Sequence, residues 1–295
     1  MEEIIYSLEN NFIKVNVESK GAELKEILDK DGINYLWTGD KKYWGRHSPV
    51  LFPIVGKLKD GKFIYDNKEY KLSQHGFARD MEFECDAVND SCLEFTARSN
   101  GKCQEFYPFE FVLKIKYTLQ EEKIIIDYSV ENVDDKEIYF SIGAHPGFNC
   151  PILEDESFED YYIEFEKEEI GERMMLNPEN GLFIEKSEEY LRNERILKLK
   201  KDLFVNDALV FKNLKSDFVT IKNTKNSKEI KVDFRGFPYL GIWTQKNEAP
   251  FVCIEPWFGH ADYENSNNIF EDKKGIMKLE KEEKFECRYS IEIKN

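Results

Sequence analysis

The sequence of 295 residues predicts an all-β protein built as a large antiparallel β-sandwich. Apolar and polar residues alternate over short segments, as in Phe12 to Val17, where Ile13 and Val15 share one face with Val17. More than a dozen such segments are separated by residues typical of turns, and helical periodicity is scarce. Short alternating strands with few helices favour sheets that pack face to face.

The predicted strands follow one another along the whole chain. Ala22 to Leu28 and Ile33 to Trp37 form a predicted hairpin, because Asp29-Lys-Asp-Gly32 between them is typical of a turn. The later strands are predicted at Lys62 to Tyr65, Glu69 to Leu72, Glu82 to Val88, Leu93 to Ala97, Phe111 to Leu119, Ile124 to Val130, Ile138 to Ile142, Tyr161 to Phe165, Phe218 to Ile221, Ile230 to Phe234, Tyr239 to Trp243, Phe251 to Ile254 and Phe285 to Ile293.

Helical turns are predicted only near Tyr43, at Gln104 to Tyr107 and at Glu188 to Arg192. The chain has no linker rich in Gly, Pro or Ser and no repeat of clear period. We therefore expect a single domain over residues 1–295.

Composition excludes several classes of partner. The formal net charge of −16 argues against nucleic acid or an anionic membrane, because both are bound through clustered Lys and Arg. The amino terminus is acidic and lacks the basic start of a signal peptide, and no apolar run reaches about 18 residues. The six scattered cysteines suit a reducing compartment. We expect a soluble cytoplasmic protein, as monomer or homodimer.

One carboxylate stands in an unusual setting. Glu255 follows the apolar run Phe251 to Ile254, precedes a proline and two aromatic residues, and has no charged residue within four positions on either side. Burial against aromatic rings disfavours the ionised carboxylate, which can tune its pKa for proton transfer. The alternative is a glutamate at a strand end that only pairs with an arginine or with backbone amides.

The four histidines are His47, His75, His145 and His260, and three of them stand beside glycine or proline at the ends of strand-like runs. Loops carried by a rigid sheet commonly hold functional side chains.

No pair of histidines has the spacing of a zinc site, and Cys253 lies inside an apolar strand, so we expect no metal. Phosphate-binding glycine loops and nucleophile motifs are absent, and no cofactor is expected. A carboxylate with histidines and aromatic residues suits acid/base chemistry on a sugar.

Four motifs then carry a resemblance. Gly45-Arg-His-Ser-Pro-Val-Leu-Phe-Pro53, His75-Gly-Phe-Ala-Arg79, Gly143-Ala-His-Pro-Gly-Phe148 and Cys253-Ile-Glu-Pro-Trp257 stand in the order and approximate spacing found in the aldose 1-epimerase (galactose mutarotase-like) family. The resemblance runs over nearly the whole chain. It implies the family's fold, the antiparallel supersandwich, and a small-molecule sugar as substrate.

The resemblance also implies roles for individual residues. Glu255 corresponds to the general base and His145 to the general acid of anomer interconversion, which needs no cofactor. A carboxylate beside an imidazolium should raise the pKa of the histidine and lower that of the glutamate. His75 and Arg46 resemble the residues that hold the hydroxyls and the ring oxygen of the sugar.

Another acid completes the implied set. Asp207 resembles the residue that binds further hydroxyls of the sugar, with Asp202 as the alternative. Arg79 and Trp257 are candidate pocket residues.

Three alternatives to an aldose 1-epimerase remain open on sequence. The string His75 to Arg79 resembles the hexose-6-phosphate epimerase branch, in which Arg46 and Arg79 would hold a phosphate. A carbohydrate-binding protein that lost turnover would not need both Glu255 and His145. Glycoside hydrolysis ranks last, because it needs two carboxyl groups about 5–10 Å apart and the chain offers no second carboxylate in an aromatic setting. The sugar, its phosphorylation and the oligomeric state are left undetermined.

Overall fold

The computed structural model describes residues 4–246 and 249–294, apart from the side chains of residues 87 and 88. These residues form 24 strands, one short helix α1 (Gly101–Gln104) and 3-10 turns at Lys59–Gly61, Ala78–Asp80 and Phe158–Asp160. The strands are β1 (Ile5–Glu9), β2 (Ile13–Glu18), β3 (Glu23–Asp29), β4 (Val50–Leu51), β5 (Lys62–Tyr65), β6 (Lys68–Lys71), β7 (Glu84–Asn89), β8 (Cys92–Arg98), β9 (Phe111–Gln120), β10 (Lys123–Asn132), β11 (Ile138–Phe140), β12 (Ile142–Ala144), β13 (Gly147–Asn149), β14 (Tyr161–Glu169), β15 (Glu172–Leu176), β16 (Phe183–Glu189), β17 (Glu194–Lys198), β18 (Leu209–Lys212), β19 (Phe218–Asn223), β20 (Glu229–Asp233), β21 (Tyr239–Trp243), β22 (Phe251–Phe258), β23 (Met277–Leu279) and β24 (Lys284–Lys294).

Two large antiparallel sheets make the body of the fold. One has nine strands in the order β17-β14-β19-β20-β24-β10-β9-β8-β7. The other has eight: seven follow the order β16-β15-β18-β21-β22-β12-β4, and the eighth, β13, also pairs with β22. The main apolar core contains side chains from both sheets, such as Ile126 of β10 and Ile254 of β22. The predicted antiparallel β-sandwich is therefore confirmed.

Three smaller sheets complete the fold. They are a three-stranded sheet β1-β2-β3 and the pairs β5-β6 and β11-β23. The main core runs in sequence from Leu8 to Ile293, so one apolar cluster draws on the full length of the chain. This continuity supports the single domain, which stays a prediction. Among the described residues, no helix has the length and apolar composition needed to cross a membrane.

Strand β22 positions the functional site because both of its faces are covered. Val252 and Ile254 point into the main core. Successive side chains of a strand point to opposite faces, so Cys253, Glu255 and Trp257 share the other face. There Cys253 and Trp257 belong to two smaller apolar clusters. The eight-stranded sheet thus buries Glu255 on the face turned away from the main core.

Some local predictions were wrong. The segment Ile33 to Trp37 makes isolated bridges from Asn34 to Leu28 and from Leu36 to Phe148 in place of a strand, because it leaves the hairpin to pair with β13. Glu188 lies in β16, which pairs with β15, and not in a helical turn. Glu255 does not end a strand: β22 continues to Phe258, and Leu240 of β21 lies opposite Pro256.

Candidate active site

Two short strands that share one partner bring the predicted catalytic residues together. Gly143 of β12 lies opposite Trp257, and Gly147 of β13 lies opposite Cys253, both on β22. His145 falls between β12 and β13, and the same register places it opposite Glu255. The Nε2 atom of His145 lies 3.2 Å from Oε2 of Glu255, and both side chains are buried.

These two residues contribute to the wall of a cavity of about 400 Å³. Its size is within the range of about 300–1,000 Å³ that small-molecule sites occupy. Six residues that were singled out from the sequence line it: His75, Arg79, His145, Asp207, Glu255 and Trp257. The cavity therefore collects residues that are far apart in the sequence, from Trp44 to Ala261.

The ring of His145 is held between two indoles. Trp44 stacks on it with ring centroids 4.7 Å apart, and Trp243 meets it edge-on at 5.6 Å. Trp44 is itself fixed, because its carbonyl accepts a 2.8 Å hydrogen bond from the indole N–H of Trp37. Within the described residues, Nδ1 of His145 is buried without a hydrogen-bond partner. Aromatic packing on the ring and the contact of Nε2 with Glu255 therefore orient the imidazole.

Burial controls the protonation of the pair. It lowers the pKa of His145 to about 3, with the charge of Arg79 acting in the same direction. Burial and the charge of Asp207 raise the pKa of Glu255 well above its usual value, and the nearby indole N–H of Trp257 opposes this rise. The sequence-based expectation had both directions reversed, because it counted the attraction between the pair and not the cost of burying charge. The buried pair favours one proton held on Glu255.

His75 projects a fixed imidazole beside this pair. It adopts a left-handed backbone conformation with φ of 66°. Its Nδ1 accepts a 3.1 Å hydrogen bond from the N–H of Gly56, so the proton of the neutral ring lies on Nε2, which is 3.2 Å from the side-chain amide of Gln74. Burial lowers the pKa of His75, with the charge of His145 as the next cause. His75 therefore offers an N–H donor near His145, whose ring centroid is 5.5 Å away.

The two candidate arginines have different positions. Arg46 lies behind the cavity wall, where it donates hydrogen bonds to the carbonyl of Arg79 at 3.0 Å and to Asp80 at 2.6 Å. Arg79 lines the cavity, and its Nη2 donates to the carbonyl of Gln74 at 2.7 Å. Burial lowers the pKa of Arg79, and Arg46 adds to this effect. Direct sugar contact thus fits Arg79 better than Arg46, whose predicted contact stays a prediction.

Asp207 lies on the cavity wall in a left-handed conformation with φ of 78°. Its Oδ1 accepts a 2.7 Å hydrogen bond from the N–H of Ala208. This contact orients the carboxylate and leaves its second oxygen for other donors. Asp202 lies outside the wall and is exposed, so the geometry favours Asp207 over Asp202.

Trp257 lies across two glycines of the neighbouring strands. A Cβ atom built on Gly143 would approach the indole to 2.6 Å, and one built on Gly241 would also come to 2.6 Å. Any side chain at either position would displace the ring. The glycines therefore let the indole lie against the sheet and form an apolar part of the cavity wall.

Several cavity residues were missed on sequence. They are chiefly Trp44, Trp243, Lys57, Gln74 and Lys246. Trp44 stands directly before the first motif, and Trp243 ends a predicted strand, so an aromatic residue at a strand end was the available signal. Nothing in the sequence around Lys57 and Lys246 distinguishes them from the many other lysines of the chain.

The structure brings three potential metal ligands together, although no metal site was expected from the sequence. Ligand atoms of His145, Cys253 and Glu255 all lie within 4.8 Å of one another. Cys253 and Glu255 come from β22 and His145 from the connection between β12 and β13, which is more than 100 residues away in the sequence, so no short motif marks the three residues.

Comparisons with known proteins agree with the fold. The sequence profile of the aldose 1-epimerase family matches residues 5–269. The plasmid-encoded protein LacX of Lactococcus lactis subsp. lactis is 36% identical over 295 residues, which cover 98% of this chain and 99% of LacX.

Two solved structures are similar over almost their full length. A galactose mutarotase related enzyme from Lactobacillus acidophilus is 32% identical with a TM-score of 0.95, covering 99% of this chain and 98% of that one. A galactose mutarotase-like protein from Lactobacillus casei is 31% identical with a TM-score of 0.92, covering 99% and 100%.

Proposed function

The chain belongs to the aldose 1-epimerase family, and we propose that it is an isomerase that interconverts the α and β anomers of an aldohexose. The observation that carries this proposal is the contact of 3.2 Å between His145 and Glu255 on a cavity wall. General acid/base catalysis needs two groups that can exchange protons with the substrate within about 2.6–3.2 Å. A protein that only binds sugar has no need for such a buried pair.

The reaction opens the sugar ring and closes it on the other face. Glu255 accepts the proton of the anomeric hydroxyl, His145 donates a proton to the ring oxygen, and the bond from C1 to the ring oxygen breaks. The free aldehyde then rotates about its C1–C2 bond. Glu255 returns its proton to the aldehyde oxygen while His145 takes the proton of the ring hydroxyl, and the ring closes.

The proton state of the buried pair suits this cycle. After ring opening Glu255 is protonated and His145 is neutral, which is also the arrangement that burial favours in the free protein. Before ring opening the proton lies on His145 and Glu255 is ionised. The short separation of the two side chains lets one proton move between these arrangements, and the total number of protons on the pair does not change.

The other cavity residues hold the sugar. His75 donates a hydrogen bond from Nε2, and Asp207 accepts hydrogen bonds from the sugar hydroxyls. Arg79 supplies a cation near both histidines, since its charge lowers the pKa of each. Trp257 offers an apolar surface for one face of the ring. Arg46 supports Arg79 through the hydrogen bond to its carbonyl.

Anomer exchange of glucose and galactose, followed by polarimetry or saturation-transfer NMR, tests the proposal. We expect acceleration by the wild type and a loss of at least about 100-fold in kcat for Glu255→Gln. Glu154→Gln, which changes an exposed carboxylate, is the matched control and should retain full activity. Wild-type binding without acceleration for any sugar would support a carbohydrate-binding protein instead.

A phosphorylated aldohexose is the second candidate substrate. Lys57, Arg79 and Lys246 bring three cations to the cavity of a protein with net charge −16. Lys57 donates from Nζ to the carbonyl of Asn180 at 3.2 Å, which leaves it further donors. We expect Lys57→Met to raise KM for glucose 6-phosphate about tenfold more than KM for glucose if the phosphate lies here. Lys30→Met changes an exposed lysine and serves as the control. Equal effects on both sugars would favour the unphosphorylated substrate.

A further inference from the structure

A buried thiol lies close to the catalytic pair without lining the cavity. Cys253 belongs to an apolar cluster with Trp37, Ala249 and Phe251, and it is fully buried. The catalytic cycle makes no use of its sulfur. We propose that Cys253, together with His145 and Glu255, forms a site for a soft divalent cation such as Zn²⁺, and that an occupied site excludes the sugar.

The backbone brings the three ligands together. Cys253 and Glu255 are two positions apart on β22, so their side chains leave the same face of the strand. His145 reaches this face from the connection between β12 and β13. One atom from each residue, the thiol sulfur, an imidazole nitrogen and a carboxylate oxygen, lies within 4.8 Å of the other two.

This separation is near what a tetrahedral cation requires. Zinc bonds of about 2.0–2.3 Å place the ligand atoms of a tetrahedron roughly 3.3–3.8 Å apart. The nitrogen and oxygen are already 3.2 Å apart. The thiol therefore has to approach by up to about 1.5 Å.

The ligand set selects the class of cation. Thiolate and imidazole favour Zn²⁺ and similar soft or borderline ions, whereas Mg²⁺ and Ca²⁺ prefer ligand sets made only of oxygen. Three protein ligands leave a fourth position of the tetrahedron for water. Since His145 and Glu255 both line the cavity, that position faces the space proposed for the sugar.

The cation and the sugar would compete because both would contact His145 and Glu255. In the proposed reaction Glu255 and His145 contact the anomeric hydroxyl and the ring oxygen, and these are the side chains that the cation would hold. The inhibitory effect therefore rests on the proposed function, whereas cation binding rests only on the positions of the three side chains.

Binding is tested without reference to activity. Protein treated with a chelator is titrated with ZnCl₂ by calorimetry and with CoCl₂ by near-ultraviolet absorption, which reports a thiolate-to-cobalt charge-transfer band. We expect one high-affinity site in the wild type, affinity at least tenfold weaker in Cys253→Ala, and no cobalt band in that variant. Cys92→Ala removes a buried thiol of the nine-stranded sheet and should behave like the wild type. Equal affinity and an equal cobalt band in Cys253→Ala would overturn the proposal.

Inhibition is tested in the anomer-exchange assay. We expect Zn²⁺ to raise KM without changing kcat, with recovery on addition of EDTA. Cys253→Ala should retain basal turnover and require at least tenfold more Zn²⁺ for the same inhibition. Inhibition that is noncompetitive, or as strong in Cys253→Ala, would refute exclusion of the sugar. If the wild type converts no sugar at all, the proposed function fails, while calorimetry and the cobalt band still decide whether the cation site exists.

Discussion

Nε2 of His145 and Oε2 of Glu255 lie 3.2 Å apart between strands of one sheet, and both groups are buried. The contact depends on β22, which pairs with β12 before His145 and with β13 after it. A sheet therefore holds both of the proposed proton-transfer groups, and two indoles pack against the ring of His145. Such preorganisation predicts how activity and stability respond to pH and to substitution.

Activity should be insensitive to pH on the acid side of neutrality. Burial lowers the pKa of His145 to about 3 and raises that of Glu255, so the pair keeps one proton as the pH falls from neutral. We expect kcat/KM to change by less than about twofold between about pH 5 and 7, whereas an exposed histidine would titrate near 6.5. A tenfold fall over this interval, measured by saturation-transfer NMR, would show that the pKa of His145 is not lowered.

Stability should depend on pH through Glu255. A carboxyl group whose pKa is raised on folding contributes stability that is present below its unfolded pKa and is lost as pH rises through the folded pKa. Glu255→Gln cannot ionise, so its stability relative to the wild type should increase from pH 5 to pH 9 by about 1 kcal/mol or more, since one pKa unit corresponds to about 1.4 kcal/mol. Urea unfolding at both pH values measures this difference. A difference that stays constant would contradict the raised pKa.

A methyl group at Gly241 should disturb Trp257. The added Cβ would lie 2.6 Å from the indole, which must then move away from the sheet. We expect Gly241→Ala to lower the free energy of unfolding by about 1–3 kcal/mol and to raise KM for the sugar about tenfold.

The control for this substitution is Gly101→Ala, because a Cβ at Gly101 meets no described atom within 4 Å. Denaturation and steady-state kinetics are measured on both variants. Equal KM values for Gly241→Ala and the wild type would argue against contact between Trp257 and the sugar.

The buried ion pair between Lys273 and Asp262 should matter for stability. Nζ of Lys273 lies 3.0 Å from Asp262, both side chains are almost fully buried, and Asp262 accepts a 2.9 Å hydrogen bond from the N–H of Lys59. Lys273→Met leaves the buried carboxylate without its partner, so we expect a loss of about 3–5 kcal/mol in the free energy of unfolding.

The control is Lys274→Met, which removes an exposed lysine paired with Glu185 and should cost less than about 1 kcal/mol. Urea denaturation of the two variants gives the comparison. Equal losses in the free energy of unfolding would mean that burial does not increase the contribution of the ion pair between Lys273 and Asp262 to stability.

The sequence by itself determined the fold class and singled out Glu255, while the role of His145 followed from the resemblance of its motif to the family. Alternating strands such as Ile124 to Val130 specify a sheet with one buried face, and Glu255 is marked by an apolar run without other charges. These are local signals, because side-chain alternation and neighbouring residue types are read along the chain.

Only the tertiary structure decided how the groups meet and how they titrate. The pairing of β12 and β13 with β22 brings His145 to Cys253 and Glu255 of that strand. Tertiary packing also places Arg79 on the cavity wall and leaves Arg46 off it. Burial, which depends on every element that covers the site, reverses the pKa shifts expected from the charges of the pair. Distances between strands and desolvation are properties of the folded chain, so no sequence pattern around a single residue specifies them.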